Sequence, residues 1–169
     1  IPVAHALGLT SHAPLLSPAA HPLPPAHLRM VGVRDVDAAE RALLDGLGVG
    51  VTTPEALRAG RGDAGLGPWL ERIRAVGGTL HVSLDADALD PVVAPGVGTP
   101  VAGGLSLQEA HGLLADITAA GVLGSMELVE VNPFLDRDQR TARAMVELCA
   151  AAFSRPATHE VAARMGAIR

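Results

Sequence analysis

The chain has 169 residues, 49% hydrophobic and 18% charged, a composition that supports one globular core. A net charge of −5 without any basic stripe argues against a nucleic-acid partner, and no apolar run approaches the roughly 20 residues that a membrane span needs. One cysteine, Cys149, excludes an internal disulfide framework and makes a reducing cytoplasm the expected setting.

Residues 2–9 are apolar and predict a short helix. Residues 10–27 hold Pro14, Pro18, Pro22, Pro24 and Pro25 and predict a proline-rich surface loop with no regular element. Residues 28–33, LRMVGV, predict a buried strand. Asp37 is the expected N-cap of a helix to about Leu47, with Glu40 completing a D-x-x-E capping box. Residues 48–52 predict a short strand, and Thr53-Pro54 a brief helix with proline at its first position.

Leu66, Leu70, Ile73 and Val76 repeat at helical spacing over residues 65–76, and Gly77-Gly78 ends that helix. Residues 79–85 predict a strand. Residues 91–105, rich in Gly and Pro, predict a loop. Ser106 and Glu109 form a capping box for a helix to about Ala120. Residues 122–131 predict a strand that Asn132-Pro133 stops. Asp136 is expected to start a last helix through about Phe153, and residues 155–169 form a C-terminal tail.

Strands alternating with helices imply an α/β fold with a mostly parallel sheet and helices on both faces, read as one domain over 1–169. Ligands in such folds bind beyond the carboxyl ends of the strands. Three strand ends carry acidic or amide groups there: Asp35 with Asp37, Asp85 with Asp87, and Glu130 with Asn132. In an extended segment, Asp85 and Asp87 point to one face while Ala86 faces away. Two carboxylates held that close repel, so they favour a cation between them. Oxygen ligands suit a hard ion such as magnesium or manganese.

The run SLDADALDPVVAPGVGTPVAGGLS (83–106) resembles the signature of the ureohydrolases, the binuclear manganese enzymes that include arginase and agmatinase. VGVRDVDAAER (31–41) and MELVEVNPFLD (126–136) are similar to arginase segments, and the resemblance runs from residue 1 to about 154. It implies the three-layer α/β/α arginase-like fold. It also implies two Mn²⁺ ions held in part by Asp85 and Asp87, and hydrolysis of L-arginine to L-ornithine and urea. Glu130 matches the glutamate that pairs with the substrate guanidinium, and Thr99 a threonine near that end of the substrate. Asp37 and Glu40 match acids that receive the substrate's α-amino group. Asp90 matches an aspartate that shapes the loop. A homo-oligomer, trimer or hexamer, is the implied assembly.

The family's Gly-Gly-Asp-His and Asp-Ala-His-x-Asp segments, which supply most of its metal ligands, do not occur here. Its proton-shuttling histidine precedes a glycine, and IPVAHAL reads as the chain resuming just after that pair. Ile1 is not an initiator. The expectation is the C-terminal half of an arginase, with the N-terminal part of the sheet missing, no catalytic histidine, weak metal binding and little hydrolysis alone.

On the residues alone, Asp37 reads first as a helix cap, while Thr99 also reads as a turn residue and Glu130 as a solvated strand-end acid. His5, His12, His21 and His27 stand in or beside the proline-rich loop at irregular spacing and are not read as ligands. His81 reads as a packed strand residue or a donor beside the ligands, and His111 and His159 as helix-surface residues. Cys149 reads as core, and Ser106 as a cap. Agmatinase is the close functional alternative, and the RDVDAAE segment tips the reading toward arginase. A haloacid-dehalogenase-type phosphatase is disfavoured, because Leu89 stands where Thr or Val is usual and the chain contains no lysine. A truncated or degenerate paralogue that acts only by association is the non-enzymatic reading.

Overall fold

A computed structural model describes residues 2–9, 21–60 and 66–154. The elements are α1 (Pro2–Ala6), β1 (Arg29–Val31), α2 (Ala38–Leu47), β2 (Gly50–Thr52), α3 (Pro54–Arg58), α4 (Leu66–Ala75), β3 (Leu80–Asp85), α5 (Leu107–Ala120), β4 (Leu123–Val129) and α6 (Arg140–Phe153). Segment 10–20, the tail 155–169, His12 and His159 lie outside the described residues.

Local side-chain chemistry sets where the helices start. Thr53 accepts the Ala56 N–H to open α3. Ser106 and Glu109 close a reciprocal box at the head of α5, at 3.2 and 2.7 Å, and Gly121 ends that helix with φ +69°. At α2 one half of the expected box forms: Asp37 accepts the Glu40 N–H at 2.8 Å.

Two expectations need correction. The proline-rich loop does contain a regular turn, a 3₁₀ turn at Pro25–His27; proline at its start suits an N–H that has no helical partner. Its neighbour carbonyl, Ala26 O, accepts the Trp69 indole N–H at 3.1 Å and so ties the loop to α4. The last helix begins at Arg140, after a 3₁₀ turn at Arg137–Gln139 in which Asp138 and Gln139 take positive φ. Asp136 still caps it: its carboxylate reaches past the turn to the N–H groups of Thr141 and Ala142, at 2.9 and 3.0 Å.

β1 and β2 pair in parallel, Met30 opposite Val51, and β3 and β4 pair in parallel, Val82 opposite Met126. A parallel bridge between Leu89 and Leu105 lies beyond the end of β3. Leu80, Val82, Leu84, Leu123 and Met126 pack on the main core, whose buried members include Leu70, Leu89, Leu114, Met145 and Leu148 from α4, α5, α6 and the loop after β3. A smaller core joins Leu7, Leu44 and Val49 around β1 and β2.

The other face of β3–β4 is polar and exposed. His81 Nδ1 lies 2.8 Å from Ser125 Oγ, and Ser83 donates to Glu127 at 2.7 Å. His81 is therefore a surface residue, not a packed one, because period-two alternation turns it away from Val82. His111 on α5 pairs across to Glu147 on α6 at 2.8 Å. No helix among the described residues is long and apolar enough to cross a membrane.

Candidate active site

β3 ends at Asp85, and the chain turns at once into a 3₁₀ turn over Ala86–Ala88. Asp85 Oδ1 accepts the Asp87 N–H at 3.0 Å, which makes Asp85 the cap of that turn. Ala86 is fully buried. Ala86 faces inward as the alternation required, but a turn rather than extended backbone brings the two aspartates together. Across the following loop, Thr99 Oγ1 donates to Asp87 Oδ2 at 3.1 Å.

The loop itself is built around Asp90 and two glycines. Asp90 accepts the N–H groups of Val92 and Gly103, at 2.9 and 2.8 Å, and the first of these does most to hold its carboxyl below the usual range. A side chain at Gly104 would sit 2.5 Å from the backbone of Leu89 and Asp90, and one at Gly96 would sit 2.5 Å from the Asp136 Cβ. Gly96 O accepts the Asn132 N–H at 2.8 Å, and Gly96 N–H donates to the buried Thr141 hydroxyl at 2.7 Å. These bonds hold the segment after β4 against the loop after β3.

Glu130 sits between β4 and Asn132 with φ +63°, a left-handed conformation that is uncommon for a residue with a Cβ. Such outliers cluster at functional sites. Its charge reaches Asp85. Burial is the main force that pushes the Asp85 carboxyl above its ordinary range, and the negative charges of Asp87 and Glu130 push the same way.

The structure thus brings Asp85, Asp87, Thr99 and Glu130 into one neighbourhood. Asp37 and Glu40 stand at the head of α2, both exposed, and no hydrogen bond among the described residues links them to the other acids. Half-buried carboxylates that repel one another fit a hard divalent cation. Such an ion wants about six ligands, and no group of three or more His, Cys, Asp or Glu side chains among the described residues converges on one point. The residues present fit part of a metal site.

One residue of this region was not singled out by its sequence pattern. Arg34, just after β1, donates to the carbonyls of Val101 and Asp87. Its place just beyond a predicted strand, inside RDVD, was the available signal.

Parallel strands whose carboxyl ends gather acidic groups define an α/β protein with an acidic site at its strand ends. A sequence profile of the arginase family matches residues 5–154. An arginase of Brucella melitensis is 41% identical over 154 residues, covering 91% of this chain and 50% of that protein. A crystal structure of arginase from Bacillus subtilis superposes with a TM-score of 0.79 at 32% identity, over 93% of this chain and 56% of that one. A hypothetical agmatinase from Burkholderia thailandensis gives a TM-score of 0.57 at 32% identity, over 75% of this chain and 38% of that one.

The chain belongs to the arginase family. It has that family's α/β fold in part, and it spans about half the length of the curated relatives it matches.

Proposed function

We propose that this chain is the metal- and guanidinium-binding portion of an arginase-type amidinohydrolase, one that hydrolyses L-arginine to L-ornithine and urea. The observation that carries the reading is the juxtaposition of Asp85, Asp87 and Thr99 with the charge of Glu130 beside them. Asp85 and Asp87 would hold divalent manganese, two ions in the family site, with the remaining ligands supplied from outside the described residues. A bound divalent ion there supplies a water nucleophile available near neutral pH.

The chain's own residues bind and orient the substrate. Glu130 accepts two parallel N–H bonds from the planar guanidinium, which turns the reacting carbon toward Asp85 and Asp87. Thr99 keeps Asp87 in place through its hydroxyl. Asp37, with Glu40 beside it, accepts the α-ammonium, so the separation of the two acidic positions measures the length of arginine. Asp37 Oδ1 caps α2, and Oδ2 would receive the ammonium. Agmatine, which lacks the carboxylate, is the second reading; the RDVDAAE segment and the lower TM-score of the agmatinase favour arginine. A homo-oligomer, trimer or hexamer, in the cytoplasm is part of the same proposal.

The test is a calorimetric Mn²⁺ titration of the 169-residue chain and of Asp85→Asn, with urea release from L-arginine and agmatine measured in parallel. Weak Mn²⁺ binding that Asp85→Asn abolishes, with little urea from either compound by the chain alone, is the expected result. Binding that is unchanged in Asp85→Asn would overturn the metal assignment. Urea from agmatine but not from arginine would favour the second reading.

A further inference from the structure

Arg34 leaves the end of β1 and lays its guanidinium among backbone carbonyls of the loop that follows β3. Nε and Nη2 both donate to Val101 O, at 3.0 and 2.5 Å, Nη2 donates to Asp87 O at 2.7 Å, and Nη1 reaches Gly32 O at 3.3 Å. Leu89 O lies 3.4 Å from Nη2. The close approach of the two segments is built into the backbone: a side chain on Gly32, at φ +85°, would meet Leu105 at 3.2 Å and Ala88 at 3.5 Å.

Asp87 and Thr99 are both attached to this cation. Arg34 holds the Asp87 carbonyl directly and holds Val101, two residues after Thr99. The Thr99 hydroxyl then closes the ring onto Asp87 Oδ2. Gly103, two residues beyond Val101, is pinned by Asp90. A planar fork with donors on three nitrogens can serve carbonyls that diverge in direction; a lysine ammonium, a single nitrogen, cannot.

We propose that Arg34 is a positioning residue: its guanidinium ties the exit of β1 to the carbonyls of Asp87 and Val101 and thereby sets the Asp87–Thr99 pair for metal binding. The inference rests on the reading of Asp85 and Asp87 as ligands. Because Arg34 also bridges the segment that leads to Asp37, it fixes the metal-facing and ammonium-facing acids to one frame.

The experiment compares the 169-residue chain with Arg34→Met, which keeps length and loses the fork, and Arg34→Lys, which keeps charge and loses the fork. Two quantities are read: amide hydrogen exchange at Asp90, Gly103 and Leu105 against amides of α6, and Mn²⁺ affinity with Asp85→Asn as control. Arg34→Met is expected to speed exchange at those three amides by at least about tenfold, with α6 unchanged. It is expected to weaken Mn²⁺ by about tenfold or more. Arg34→Lys should fall between, since charge alone does not restore the geometry. If Arg34→Met does not fold, Arg34→Lys decides on the same two readouts. Exchange at the three amides within about twofold of the parent overturns the clamp. Unchanged Mn²⁺ affinity in Arg34→Met, while Asp85→Asn abolishes binding, overturns its link to the metal and leaves the site reading standing. Mn²⁺ binding that survives Asp85→Asn is the failure of the site reading itself, and it removes the metal half of this inference while exchange still judges the clamp.

Discussion

The Thr99 hydroxyl donates to Asp87 Oδ2 at 3.1 Å, from the far side of a loop dense in glycine and proline. That bond holds one oxygen of a candidate ligand in place. Removing the donor while keeping the shape should let the Asp87 carboxylate swing. Thr99→Val is therefore expected to lower Mn²⁺ affinity by about tenfold, and Thr99→Ser to retain most of it. Equal affinity in Thr99→Val, measured by calorimetry, would make Thr99 a plain turn residue.

Asp85 carries a pH dependence of definite sign. Its carboxyl is raised in the fold, by burial first and by the charges of Asp87 and Glu130 next, so the folded chain holds a proton that the unfolded chain releases. Without metal, stability therefore falls as pH rises from the ordinary aspartate range through the raised value, and stays reduced above it. Asp85→Asn removes that penalty. It is expected to raise the metal-free Tm at pH 7 and to erase the Tm gain that Mn²⁺ gives the parent. Thermal unfolding of both proteins, with and without Mn²⁺, reads both effects; a lower metal-free Tm in the variant would contradict the repulsion argument.

Glu109 works in the opposite direction. The Arg58 guanidinium grips both its oxygens, at 2.7 and 3.0 Å, and the Ser106 N–H adds a third bond, so the carboxyl is lowered from 4.5 to about 2. A depressed carboxylate contributes stability above its unfolded pKa and loses it as pH falls through the folded one. The parent should lose this contribution between about pH 4.5 and 2, and Glu109→Gln should lack it throughout. Ser106→Ala, which removes the other half of the box, should cost about 1 kcal/mol in denaturant unfolding. A Glu109→Gln variant with the same acid-side slope as the parent would show that the ion pair is screened away.

Glu130 tests the backbone rather than the charge. Its φ of +63° is one that glycine adopts freely and alanine does not. Glu130→Gly is expected to be at least about 1 kcal/mol more stable than Glu130→Ala in urea unfolding. The reverse order would mean that the segment relaxes out of the left-handed region once the glutamate is gone.

Much of the fold is legible along the chain because its causes are short-range. The Ser106–Glu109 box, the Thr53 cap, Pro54 at a first position and Gly121 at a helix end are each satisfied within a few residues. The apolar spacing of Leu66, Leu70 and Ile73 foretells the face that α4 buries. The D-x-D motif and the long run after it were enough to place Asp85 and Asp87 at a strand end and to reveal the family.

Other features were decided only when distant segments met. Asp136 caps α6 across an intervening turn where Gly96 leaves room for it, and Glu130 takes a left-handed conformation two residues before Asn132, whose N–H is bonded to Gly96 O. His81 faces solvent because alternation turns it away from the side that α5 and α6 cover. The carbonyls that Arg34 gathers come from Gly32, Asp87 and Val101, residues with no shared local pattern. The sequence by itself determined the caps, the periodicities and the identity of the acidic groups, since these depend on bonds between near neighbours. Which groups meet at the strand ends, share a clamp or sit in a strained backbone was decided by the tertiary structure, because those contacts exist only after separate segments have packed together.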